Sequence, residues 1–121
     1  MITRIDHVQL TAPKGCGDAA REFYGSIFGL REIEKPTSLR ARGGCWFQCD
    51  NQQLHIGVEV DFRPAKKAHP AFAASNLAKL RESLIAHAVR TTDDSSLPGT
   101  RRFFAEDPWG NRLEFLEAKC P

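Results

Sequence analysis

The apolar residues of this 121-residue chain read as strand, helix and three strands, and then the same order begins again. That repetition constrains the fold more than any single motif. In the first half, "RIDHVQL" at 4–10 alternates with a period of two, with Ile5, His7 and Gln9 on one side and Asp6, Val8 and Leu10 on the other. After a loop rich in Gly and Pro, Asp18 is placed to cap a helix. Its residues Ala20, Phe23, Tyr24, Ile27 and Phe28 form one apolar stripe, and Gly29 is a natural stop. "LREIEK", "ARGGCWFQC" and "QLHIGVEV" follow as strands, the last two joined at Asp50-Asn51. In the second half "AHPAFAAS" is a strand and Ser75 is placed to cap "NLAKLRESLIAHAV". There Leu77, Leu80, Leu84 and either Arg81 or Ile85 mark the buried stripe. A short strand at 89–92 and the strands "TRRFFAED" and "RLEFLE", joined by the turn "PWGN", complete it. The expected fold is α+β: two tandem βαβββ modules, about 1–62 and 66–121, in a single domain.

Composition excludes several classes of function. The formal net charge is +2, and the basic residues are scattered, with short clusters only at Lys66-Lys67 and Arg101-Arg102. Nucleic acid binding ordinarily needs a basic face, so none is expected. No apolar run approaches the roughly 20 residues that span a bilayer, and "MITRIDHVQL" has no apolar signal region. A cytoplasmic location is expected. Cys16, Cys45, Cys49 and Cys120 then read as free thiols. They make no C-x-x-C pair, and Cys45 and Cys49, roughly 13 Å apart at strand rise, cannot chelate one metal.

Four strands share an oddity. Each places an imidazole or a carboxylate on the face away from most of its bulky apolar residues: His7, His55, His69 and Glu114. The apolar faces suit packing on the two helices. The other faces, with small residues at Gly57, Ala71 and Ala73, suit a concave polar surface. A lone strand histidine is ordinarily structural; four such residues at matching places in a duplicated plan form a candidate metal site. Imidazole and carboxylate together suit zinc, nickel, manganese or iron. Glu59, Glu106 and Glu117 read as solvated, and His87 as a helix-end residue facing solvent.

On these residues the chain resembles the vicinal-oxygen-chelate superfamily of glyoxalases, fosfomycin-resistance thiol transferases, extradiol dioxygenases, epimerases and bleomycin-binding proteins. The resemblance rests on "DHVQL", "AREFYGSIFGL", "LHIGVE", "AHPAFAAS" and "DPWGNRLEFLE" in this order, over nearly the whole chain. It implies sheets curved into an open cup and one divalent metal per site, held by His7, His69 and Glu114. His55 stands where glyoxalases carry an acidic residue and thiol transferases carry no ligand, so it is either a fourth ligand or a substrate contact. The resemblance also implies a homodimer in which one chain's first module faces its partner's second.

The implied chemistry is chelation of two neighbouring oxygens of a small-molecule substrate, with Glu114 as the base. Gln9, Trp46, Arg101 and Phe103 are expected around the metal. Trp46 and Phe103 would wall the pocket and Arg101 would pair with an anionic group. Three activities stay open: a glyoxalase-type lyase or isomerase, another metalloenzyme (a thiol transferase or iron(II) dioxygenase), and a non-catalytic binding protein.

Overall fold

A computed structural model describes residues 1–119; Cys120 lies outside the described residues. The chain divides into two compact units between Pro64 and Ala65. In the first, β1 (His7–Ala12) leads to α1 (Gly17–Ala20), which continues as a π-helical segment over Arg21–Ile27. Then come β2 (Arg31–Ile33), a 3-10 helix (Thr37–Arg42), β3 (Cys45–Cys49) and β4 (Gln52–Val58). In the second, β5 (Ala71–Ala74), α2 (Leu77–Ala86), β6 (Thr91–Asp93), β7 (Arg102–Glu106) and β8 (Arg112–Glu117) follow. The two sheets have the same plan, β1-β4-β3-β2 and β5-β8-β7-β6. In each, the first strand lies parallel to the last and the remaining pairs are antiparallel. A parallel pair needs a crossover, which the helix and two intervening strands supply. These are two tandem βαβββ modules.

Each sheet buries one face. In the first unit Leu10, Ala12, Phe47, Leu54 and Ile56 meet Phe23 and Tyr24 from the helix, all of them buried. The π-helical turn gathers the aromatic residues: Phe28 N donates to Phe23 O at 3.1 Å and Leu30 N to Tyr24 O at 3.2 Å. Phe23, Tyr24 and Phe28 then pack ring on ring at 4.9–5.2 Å. The helix begins two residues earlier than an Asp18 cap implies. Cys16 holds the capping position with no side-chain bond, and Asp18 sits in the first turn instead, near Arg21 at 3.7 Å.

In the second unit Leu77, Leu84, Phe103, Ala105, Leu113 and Phe115 form the core. Arg81, and not Ile85, completes the inward stripe. Its guanidinium lies over the Phe103 ring at 4.5 Å and pairs with Asp93, while Ile85 is 57% exposed. The cap of α2 is Asn76, whose side chain accepts from Lys79 N at 3.0 Å. Ser75 is one residue too early. Glu117 adds a second cap by accepting from Leu77 N at 3.1 Å, a role its expected solvation missed. Asn76→Ala is expected to lower stability by about 1 kcal/mol, read as a lower urea midpoint at an unchanged slope.

The β7–β8 turn explains "DPWGN". Asp107 and Asn111 are buried. The Asp107 carboxylate accepts from Trp109 N, Asn111 N and Asn111 Nδ2 at 2.8–3.0 Å. Asn111 Oδ1 accepts from Ala65 N at 3.0 Å, tying the hairpin to the start of the unit. Other details depart from the sequence pattern. The first residues of "ARGGCWFQC" form part of the 3-10 helix, and the strand starts only after Gly43 and Gly44, both at positive φ. β4 ends at Val58, so Val60 is 86% exposed instead of joining the apolar face. Cys16, Cys45 and Cys49 are free thiols, and burial raises the pKa of each. Among the described residues no helix is long and apolar enough to cross a membrane.

Candidate metal centre

The polar face of the first sheet carries His7, Gln9, Trp46 and His55. The ladder fixes this, because Gln9 and Trp46 are both register partners of His55. Three rings stack there. The Trp46 and His55 centroids are 3.8 Å apart with planes 3° from parallel, and His7 stacks on the other face of His55 at 4.2 Å and 15°. His55 is 3% exposed as a result. Burial, reinforced by the neighbouring His7, pushes its pKa down to about 4, against a smaller opposing pull from Asp6. It is therefore a neutral imidazole near pH 7, and its Nε2–H donates to Gln53 Oε1 at 2.9 Å. The space left by Gly57 is taken by Gln9: a Cβ at position 57 would stand 2.8 Å from Gln9 Nε2.

His7 is oriented from behind. Its Nδ1 donates to Asp6 Oδ2 at 3.0 Å, and Asp6 pairs in turn with Arg4 at 3.3 Å. The bond from His7 holds the Asp6 carboxyl below its usual range. A carboxylate on one ring nitrogen leaves the other, Nε2, with its lone pair available, which is the usual support of a metal-ligating histidine.

The polar face of the second sheet carries His69, Arg102, Phe104, Arg112 and Glu114. His69 Nδ1 donates to the Lys67 carbonyl at 2.8 Å. Its Nε2 faces Glu114 Oε1 at 2.9 Å, and the two side chains are 25% and 11% exposed. A carbonyl only accepts, so Nδ1 carries the ring proton. Nε2 and the carboxylate oxygen are then two lone-pair atoms in contact, and a proton or a cation must lie between them. The other oxygen of Glu114 is held by Arg102 at 3.3 Å, and Arg102 also reaches Asp94 and Ser96 at 3.0 Å.

Of the residues expected in the site, His7, Gln9, Trp46 and His55 come together in the first unit, and His69 and Glu114 in the second. Phe103 and Arg101 do not join them. Phe103 is fully buried on the core face, stacked on Phe115 at 5.0 Å. Arg101 is exposed and borders a cavity of about 490 Å³ lined also by Leu77, Arg81, Asp93 and Asp94. Their places on the polar face are taken by Phe104, 5.5 Å from His69 ring to ring, and Arg102. These two and Arg112 are the residues missed. The signal that finds them is the hairpin register: the turn at 107–111 pairs Glu106 with Arg112, hence Phe104 with Glu114.

Among the described residues, no three His, Cys, Asp or Glu side chains come together as a metal-binding group. Each unit thus offers a pair of donors: two imidazoles in one, an imidazole and a carboxylate in the other. The donor set suits a borderline divalent ion.

Two mixed four-stranded βαβββ sheets in tandem, with donor residues on β1, β4 and β8 and, at His69, two residues before β5 begins, define the class of the protein, and comparison with known proteins places it. Residues 4–115 match the Glyoxalase/Bleomycin resistance protein/Dioxygenase superfamily, and the chain belongs to that family. It is 50% identical to a structure from Bacillus anthracis described as of the glyoxalase family, with a TM-score of 0.94 and 98% of both chains covered. It shares its fold with lactoylglutathione lyase from Agrobacterium tumefaciens, at 22% identity, TM-score 0.73 and coverage of 97% and 95%. A Glu-to-Gln mutant of the fosfomycin resistance protein FosX from Listeria monocytogenes, complexed with Mn(II) and 1S,2S-dihydroxypropylphosphonic acid, also shares it. There the identity is 19%, the TM-score 0.81 and the coverage 98% and 95%. No curated protein matches the chain.

Proposed function

We propose that this protein is a metal-dependent lyase or isomerase of glyoxalase type, acting on a small molecule with two neighbouring oxygens. The observation that carries the reading is the His69–Glu114 contact. With the ring proton committed to Lys67, the facing nitrogen and oxygen at 2.9 Å suit a shared cation. His7, with its Nε2 left available by Asp6, supplies the third donor. His55, whose Nε2–H is spent on Gln53, keeps its Nδ1 lone pair and either adds a fourth donor or contacts the substrate.

Bound there, a zinc, nickel, manganese or iron(II) ion supplies Lewis-acid polarisation of the two substrate oxygens. The chain's own residues do the rest. Glu114 is the base for the proton at the carbon next to those oxygens, with Arg102 holding its carboxylate in place at Oε2, and Gln9 and Trp46 border the substrate. The two donor pairs complete one another across a homodimer, His7 with His55 from one copy and His69 with Glu114 from the other. The work of such an enzyme is cytoplasmic.

Metal content measured by inductively coupled plasma mass spectrometry tests this. After reconstitution, wild type is expected to hold about one divalent ion per chain and His69→Ala/Glu114→Ala essentially none. Mixing His7→Ala chains with Glu114→Ala chains should regenerate one intact site per heterodimer. Wild type that stays metal-free with every divalent ion tried sinks the metalloenzyme. Full occupancy in wild type with no recovery on mixing sinks the shared site.

A further inference from the structure

On the polar face of the second sheet Arg112 is a cation that the mechanism above does not use. Arg112 precedes Glu114 by two residues on β8, so their side chains leave the same face about 7 Å apart. Its guanidinium lies over the Phe104 ring at 4.2 Å, and Phe104 is the direct cross-strand partner of Glu114. The side that Arg112 borders thus runs from a guanidinium, over an aromatic ring, to the His69–Glu114 pair.

The other charged groups nearby are engaged. Arg102 is taken up by Glu114, Asp94 and Ser96. Glu106, directly across the ladder from Arg112, turns to Lys66 at 3.1 Å. Among the described residues Arg112 has no carboxylate partner, although it is only half-exposed and held in place by the ring beneath it. A guanidinium fixed on an aromatic face, with its N–H groups unclaimed, is built to receive a planar or tetrahedral oxyanion in two-point fashion.

We propose that Arg112 and Phe104 form an anion subsite, and that the substrate is therefore a small vicinally oxygenated acid. Its carboxylate or phosphoryl group meets Arg112, its carbon skeleton crosses Phe104, and its paired oxygens reach the His69–Glu114 end. This rests on the metal-site reading for the position of those oxygens. The charge preference itself belongs to Arg112 alone.

Three probes that share a vicinal diol separate the terms: glycerol, glycerate and sn-glycerol 3-phosphate. Each is titrated calorimetrically into the full-length protein, metal-loaded and metal-free, as wild type, Arg112→Gln and Arg112→Lys. Wild type is expected to bind at least one of the two anions more tightly than glycerol, and which one distinguishes a carboxylate from a phosphoryl preference. Arg112→Gln should weaken that anion at least tenfold, leave glycerol and the metal content unchanged, and keep the wild-type circular dichroism. Arg112→Lys should retain part of the preference. Equal binding of anions and glycerol by wild type, no measurable binding of either anion, or an anion preference that survives Arg112→Gln overturns the subsite. Metal content, read separately, reports on the metal site, so the two failures are distinguishable.

Discussion

Gly44→Ala is expected to destabilise the first unit by about 3 kcal/mol or more, the largest effect of any single-methyl change in that sheet. Gly44 has φ of +86°, and a Cβ there would fall inside the van der Waals envelope of the Ile56 carbonyl oxygen. That oxygen belongs to the backbone of β4, where Ile56 pairs with Cys45, the residue after Gly44. A side chain could turn aside; a ladder carbonyl cannot move without opening the β3–β4 pairing that holds Trp46 against His55. Gly29 provides the control, because it has φ of +77° but nothing within 4 Å of an added Cβ. Gly29→Ala should cost only the left-handed backbone strain, about 1–2 kcal/mol. Urea unfolding of both variants separates strain from collision, and the near-ultraviolet circular dichroism of the Gly44 variant should lose the Trp46 signature. Equal losses in the two variants would mean that β4 yields to the methyl group, and the close approach would then have no energetic weight.

The architecture was readable because burial leaves a period in the sequence. Leu10 and Ala12, Leu54 and Ile56, Leu113 and Phe115 all fall on the buried side, and the same strand–helix–three-strand order recurs in both sheets. The candidate ligands were readable for the same reason, as polar exceptions on the opposite faces. Periodicity fails where it is degenerate. "RRFF" places one arginine and one phenylalanine on each face in either register, so the pattern cannot choose between the pair Arg101 and Phe103 and the pair Arg102 and Phe104. The choice is made by the hairpin turn, whose Asp107–Asn111 bonds set which residue of β7 faces Glu114.

Local chemistry sets other details that spacing does not carry. Asn76 outcompetes Ser75 as the cap because its backbone is extended, with φ of −141°, and its longer side chain reaches Lys79 N. Ring stacking is less legible still. Nothing in "RIDHVQL", "CWFQC" or "QLHIGV" announces that Trp46, His55 and His7 form one ladder, because that requires the register of three strands at once.

The stack makes the fold acid-sensitive through His55. Near pH 7 the folded protein holds this imidazole neutral between Trp46 and His7, with its pKa at about 4 against an ordinary 6.5. Desolvation is the main cause. Charge on His7 and on Lys35 adds to it, and Asp6 opposes it. Below about pH 6.5 the unfolded chain takes up a proton that the folded chain refuses, so stability falls as the pH falls, and the loss levels off below about 4. The full span corresponds to about 3 kcal/mol, at 1.36 kcal/mol per unit of pKa. His55→Phe keeps an aromatic ring in the stack and removes the titration. It also leaves the Gln53 amide without its partner, a cost that does not vary with pH. The difference in unfolding free energy between wild type and His55→Phe, measured in metal-free protein, is therefore expected to shift by about 3 kcal/mol between pH 7 and pH 4, against the wild type at the acid end. Parallel curves would mean that His55 accepts a proton in place. The neutral ring that keeps positive charge away from the free nitrogen of His7 would then be lost, and with it the reason for burying a histidine beside a candidate metal ligand.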